Sequence, residues 1–188
     1  MKKNKHENIT TGYIEGYYGK LLSWENRKLI VQSLKKNKMN TYFYAPKEDK
    51  NHRLNWREKY KLKWRKDFSE FTKFSKINNI NIIAGIAPGL DFDFKNFNNK
   101  LKKKENLDFT LLLNKAKQLL DDGATSIALL LDDIPDDFKN KFGNQISEGT
   151  SHGILANTLS ESLSKNIYFV PRIYADELIE DEPNYLKD

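Results

Sequence analysis

The 188-residue chain has no cysteine, which excludes disulfides and thiolate-bound metal from its chemistry. It has 5 prolines and 9 glycines, and no Pro-, Gly- or Ser-rich stretch divides it, so one domain with a real hydrophobic core is expected. No apolar run approaches the ~20 residues that a bilayer-spanning helix needs. The start, Met-Lys-Lys-Asn-Lys-His-Glu-Asn, is basic but leads into no apolar stretch, unlike a secretory signal. A cytoplasmic location with no membrane partner is therefore the expectation. Internal repeats are absent, and so are a Gly-x-Gly-x-x-Gly fingerprint and a phosphate loop.

Charge is plentiful. Asp, Glu, Lys and Arg make up 31% of residues and the formal net charge is +6, which raises the question of nucleic acid. The lysines cluster at Lys35-Lys36-Asn37-Lys38, Lys61–Lys66 and Lys100–Lys104, each inside or beside a helical pattern. Solvated helix faces account for them, and no nucleic-acid partner is expected.

Five strand candidates stand out: Gly12–Gly16, Thr41–Ala45, Asn81–Ala87, Ile127–Asp132 and Ile167–Pro171. Helical patterns separate them. Ser23 is placed to cap a helix over Trp24–Asn37. Phe68, Phe71, Phe74 and Ile77 form a stripe on Lys66–Asn78. Asp108 is the candidate cap for Phe109–Asp121, with Gly123 as its left-handed end, and Ile146–Ser164 carries Ile154, Leu155, Leu159 and Leu163. Alternation of this kind means βαβ units and a parallel sheet. Each strand candidate also ends in polar or special residues, as in a (β/α)8 barrel whose C-terminal face holds the site. Five strands fall short of eight, and a full barrel usually takes ~250 residues. The expected fold is thus α/β, a (β/α)8 TIM-barrel type truncated to about five βα units over residues 11–188, behind a disordered tail at 1–10.

The sharpest feature is Ile127-Ala-Leu-Leu-Leu-Asp132-Asp133, an uncharged apolar run that ends in two carboxylates. Such a run suits a strand buried on both faces. Adjacent carboxylates raise the pKa of at least one partner, which can keep a general acid protonated near neutrality. Consecutive strand residues face opposite ways, so both can enter one pocket only if the strand ends there. A solvated acidic turn, a helix cap or a loose cation site at Asp132-Asp133-Ile-Pro-Asp136-Asp137 is the plainer alternative.

Several blocks resemble one family. Gly12-Tyr-Ile-Glu-Gly16-Tyr-Tyr18-Gly19, Ser23-Trp-Glu-Asn-Arg27, the long block from Asn40 through Ala45-Pro46-Lys47 to Tyr60, Ala87-Pro88-Gly89-Leu90-Asp91 and Leu131-Asp132-Asp133-Ile134 follow the order and spacing of the O-GlcNAcases. These are retaining β-N-acetylglucosaminidases with bacterial relatives sometimes labelled hyaluronidases. The resemblance implies hydrolysis of terminal β-linked N-acetylglucosamine without an enzyme nucleophile: the substrate's own acetamido oxygen attacks the anomeric carbon and forms an oxazoline. It implies that Asp132 polarises the acetamido group, that Asp133 is the general acid and base, and that Gly16, Tyr18, Lys47 and Tyr174 bind the sugar. No metal and no cofactor are implied.

His52, Arg53, Trp56 and Arg57 match the family block but read as structural, and His152 lies on a helix face outside the catalytic set. Leu21-Leu22 and Arg172-Ile173 depart from the family pattern, the latter directly before Tyr174. The family's later acetamido- and hydroxyl-binding residues lie on strands beyond Asp188. The expected partners are an N-acetylglucosamine-containing glycoside or glycoprotein, with a second polypeptide or self-association completing the barrel. An alternative from another class is a non-catalytic partial barrel that binds an amino sugar or a protein.

Overall fold

A computed structural model of the chain describes residues 9–97, 106–143, 147–175 and Tyr185. Five parallel strands pair in sequence order: β1 (Gly12–Glu15), β2 (Thr41–Tyr44), β3 (Asn81–Ile86), β4 (Ser126–Leu130) and β5 (Tyr168–Val170). Four main helices connect them, α1 (Trp24–Lys36), α2 (Leu62–Ile77), α4 (Leu107–Asp121) and α6 (Glu148–Leu163). Two short turns of helix, α3 (Phe94–Phe97) and α5 (Phe138–Phe142), sit in the loops after β3 and β4. The result is a curled half-barrel, the truncated (β/α)8 type that the alternation of patterns predicts. None of the described helices is long and apolar enough to cross a membrane.

The central strands β2 to β4 are apolar on both sides because both sides are buried there. One face of the sheet meets the helices: Tyr42, Tyr44, Ile82, Ala84, Ile127 and Leu129 pack with Val31, Phe68, Phe71, Leu112 and Leu155. The other face is smaller and holds Phe43, Ala45, Ile83, Ala87, Ala128 and Leu130, with Val170 beside them. Apolar side chains reach solvent at the two edge strands. Ile14 is 62% exposed and Phe169 38%, and a hollow of about 450 Å³ lies among Gly12, Ile14, Phe43, Ile83 and Tyr168.

Local signals explain most of the element boundaries. Ser23 caps α1 by accepting from the amide of Asn26 at 3.1 Å, and Gly123 follows α4 with φ +103°. The strands stop one or two residues short of the ends that sequence suggests. The cap of α4 differs: Asn106, not Asp108, accepts from the Phe109 amide at 2.8 Å. Asp108 is taken instead by Arg57 at 2.7 Å and by the Asp93 amide at 2.8 Å. A partner 51 residues away is invisible to local pattern. Lysines 35, 36, 38, 61, 63 and 66 are exposed, as solvated helix faces require. The Lys100–Lys104 cluster, most of the 1–10 tail and the start of the Ile146–Ser164 pattern lie outside the described residues.

One ion pair is fully buried between sheet and helix. Glu15 of β1 receives two hydrogen bonds from the Arg27 guanidinium at 2.8 and 2.9 Å, and a third from the Tyr42 hydroxyl at 2.6 Å. Burial opposes the charge on Arg27, yet Glu15 holds its pKa above the ordinary value.

Candidate active site

All five strands run the same way, so their C-terminal ends form one edge, and the loops beyond that edge build the site. Leu130 is the last residue of β4. Leu131 still donates its amide to the Val170 carbonyl at 2.8 Å, and then the chain leaves the sheet. Asp133 adopts a left-handed backbone, φ +54°, which ends the alternation of side-chain directions. Both carboxylates consequently turn to one partner.

That partner is Lys47, three residues beyond β2. Its ammonium lies 2.7 Å from Asp132 Oδ2 and 3.1 Å from Asp133 Oδ2, and its side chain is 3% exposed. Tyr18, beyond β1, donates its hydroxyl to Asp133 Oδ2 at 3.2 Å. Arg53, from the loop after β2, donates to the Asp133 backbone carbonyl at 2.7 Å. Among the described residues Asp132 Oδ1 is buried with no hydrogen-bond partner, leaving one acceptor free.

Charge follows from these contacts. Burial pushes the Asp133 carboxyl up, but the Lys47 ammonium, the Tyr18 hydroxyl and the Arg53 charge outweigh it and hold the group below the usual carboxylate value. Burial likewise works against the Lys47 charge, and the two carboxylates overcome it and raise the ammonium's pKa. Adjacency to a second aspartate would by itself push the Asp133 carboxyl up rather than down. The difference lies in Lys47, 85 positions from Asp132 in sequence.

The other expected site residues divide. Gly16 follows the end of β1, and a Cβ there would meet only the Ile14 side chain, at 3.1 Å, so the backbone is open to an approaching group. Tyr174 follows β5, is 63% exposed and makes no hydrogen bond to the aspartates among the described residues. His152 is buried, its Nδ1 2.8 Å from the Tyr185 hydroxyl, with burial pushing it down to about 3. His52 lies across the end of β3: Nδ1 is 2.9 Å from the Gly85 carbonyl, and the Ala87 amide donates to the His52 carbonyl at 2.9 Å. Arg53 is the residue whose place at the site sequence does not announce. Its only local signal is membership of the block that contains Lys47.

The fold and the site together define an α/β half-barrel of the (β/α)8 type with paired carboxylates at the C-terminal edge of its sheet. The family model described as beta-N-acetylglucosaminidase matches residues 11–188, and the chain belongs to that family. It is similar to the protein O-GlcNAcases of Rattus norvegicus and Mus musculus, 37% identical over 123 residues, which is 65% of this chain and 12% of each of theirs. A solved structure of a mutant O-GlcNAc hydrolase from Thermobaculum terrenum superposes with a TM-score of 0.74 at 26% identity, covering 87% of this chain and 35% of that one. The chain thus spans about an eighth of the curated relatives and about a third of the solved one.

Proposed function

We propose that the chain supplies the acid- and amide-handling half of a β-N-acetylglucosaminidase that works by substrate assistance on terminal β-linked N-acetylglucosamine. The observation that carries the reading is the convergence of Lys47 on Asp132 and Asp133 at the C-terminal edge, with Tyr18 on Asp133. Family membership supports it.

In the first step the acetamido oxygen of the sugar attacks its own anomeric carbon while the bond to the leaving oxygen breaks. Asp132 accepts the acetamido N–H, which its free Oδ1 suits, and so sharpens the nucleophile. Asp133 gives a proton to the departing oxygen. In the second step Asp133, now a carboxylate, takes a proton from water as that water attacks the anomeric carbon and opens the oxazoline, with retention of configuration. The resting site holds Asp133 ionised, so a bound sugar must change its surroundings. A sugar hydroxyl that engages Lys47 draws the ammonium away, and a ring that covers the carboxyl excludes water. Both changes favour the protonated acid. Gly16 lets the ring approach the backbone, and Tyr174 belongs to the acetamido pocket by family correspondence. The hydroxyl-binding shell is completed by further βα units of the barrel, whether they continue the same polypeptide or come from another one.

The test uses the chain together with the βα units that complete its barrel. Asp133→Asn should slow glycosides with poor leaving groups far more than activated aryl glycosides, a contrast on the order of the ~10²–10⁴-fold that acid catalysis supplies. Asp132→Asn should slow both. Equal losses for both leaving groups in Asp133→Asn would remove its role as the acid. The chain alone should be weak or inactive, because positioning is incomplete.

A further inference from the structure

We infer that Arg53 is a positioning residue: its grip on the Asp133 carbonyl fixes the left-handed turn that brings both aspartates to one ammonium. The inference rests on the reading of Asp132 and Asp133 as the working pair, and it adds the device that makes the pair possible.

Neighbouring residues in a strand point to opposite faces. Asp132 and Asp133 escape that rule because the backbone at Asp133 has φ +54°, a conformation that L-residues avoid and that persists where the surroundings over-determine it. Among the described residues, the backbone of Asp133 is held by the 2.7 Å hydrogen bond that Arg53 Nη2 donates to its carbonyl. The guanidinium also lies 5.9 Å from the centre of the Tyr18 ring, and the Tyr18 hydroxyl holds Asp133 Oδ2. Arg53 and Tyr18 therefore grip Asp133 at its backbone and at its carboxylate.

Arg53 can do this only if it is itself held. The preceding residue supplies the anchor. His52 is bound at β3 and directly after it, by its ring at the Gly85 carbonyl and by its own carbonyl at the Ala87 amide, each 2.9 Å. A Cβ at Gly85 would lie 3.1 Å from His52 Cε1 and 2.9 Å from Ala45 Cβ and Leu130 Cδ1, so the imidazole seats where β3 has no side chain. The His52-Arg53 dipeptide thus reaches from β2 across β3 to the end of β4. A planar guanidinium can donate to the carbonyl and still face the tyrosine ring, which a lysine ammonium does less well. Arg53 touches no reacting atom in this scheme.

The experiment is NMR on the isotope-labelled chain as it stands, with no sugar present. A left-handed residue brings its own amide proton and α-proton close, so Asp133 of the wild type should show a strong intraresidue cross-peak. Arg53→Met, of similar length without donors, should lose that cross-peak, and the Asp133 carboxyl should titrate at higher pH. Arg53→Lys should recover part of both, while the spectrum elsewhere stays that of the folded chain. A wild-type spectrum without the left-handed signature at Asp133 overturns the inference before any variant is made. An Arg53→Met protein with an unchanged cross-peak and titration overturns it as well. None of these readouts needs turnover, so a failure of the completed barrel to hydrolyse sugars would count against the glycosidase reading and leave this result standing.

Discussion

At Lys47 one ammonium serves two carboxylates, at 2.7 and 3.1 Å, and its removal would leave like charges side by side. Lys47→Met should therefore raise the titration of Asp133, followed by its carboxyl carbon shift. The sign for stability follows. Asp133 has a folded pKa below its unfolded one, so its contribution is present above the unfolded value and is lost as pH falls through the folded one. Lys47→Met should flatten that acid limb. Two imidazoles add a separate dependence at higher pH. Burial pushes His52 down to about 4, and burial with the Arg172 charge pushes His152 down to about 3. The unfolded chain protonates both near pH 6.5 while the fold keeps them neutral, so about two more protons bind on unfolding around pH 5. Urea midpoints should fall steadily between pH 7 and pH 4.5, and a flat profile across that window would contradict the burial of both rings.

Among the elements, β1 and α1 are joined by the Glu15–Arg27 pair, whose side chains are 1% and 4% exposed. Arg27→Met would leave a buried carboxylate with the Tyr42 hydroxyl alone, a loss of about 3–5 kcal/mol by urea unfolding. Glu15→Gln combined with Arg27→Met should recover a part of it, because the unpaired charge is gone. The same scale shows what sequence can reveal. Ser23, Gly123 and the apolar runs of β2 to β4 act locally, through caps, a positive φ and two-sided burial, and they are legible in order. Asn106 displaced Asp108 as the α4 cap because Arg57 claims the latter from a distant loop. Gly16, Lys47 and the aspartates were legible as strand-end residues, and Tyr18 only through the resemblance to the family. The ionised state of Asp133 and the reach of Arg53 were not, since each depends on which loops meet above the sheet.

Taken whole, the molecule is a sheet with two edges. Among the described residues no strand pairs with the outer side of β1 or of β5, and Ile14, Tyr168 and Phe169 are exposed there. Unpaired edges with apolar side chains recruit partners. Sedimentation over a dilution series should show self-association, and Ile14→Lys with Phe169→Lys should shift the population toward monomer. A concentration-independent monomer in the wild type would show that these edges are covered in some other way.

The position of the indoles has a practical consequence for spectroscopy. All three tryptophans belong to the helix-side layer: Trp24 packs with Tyr44, Trp64 and Phe68, Trp64 stacks on Tyr60, and Trp56 is buried beside Phe92. None lies in the layer of Phe43, Ala45 and Leu130 that faces away from the helices. Intrinsic emission of this chain is therefore a gauge of whether the helices are docked. It will stay nearly silent when a small molecule settles over Lys47, and a fluorescence titration that shows no change should not be taken as absence of binding.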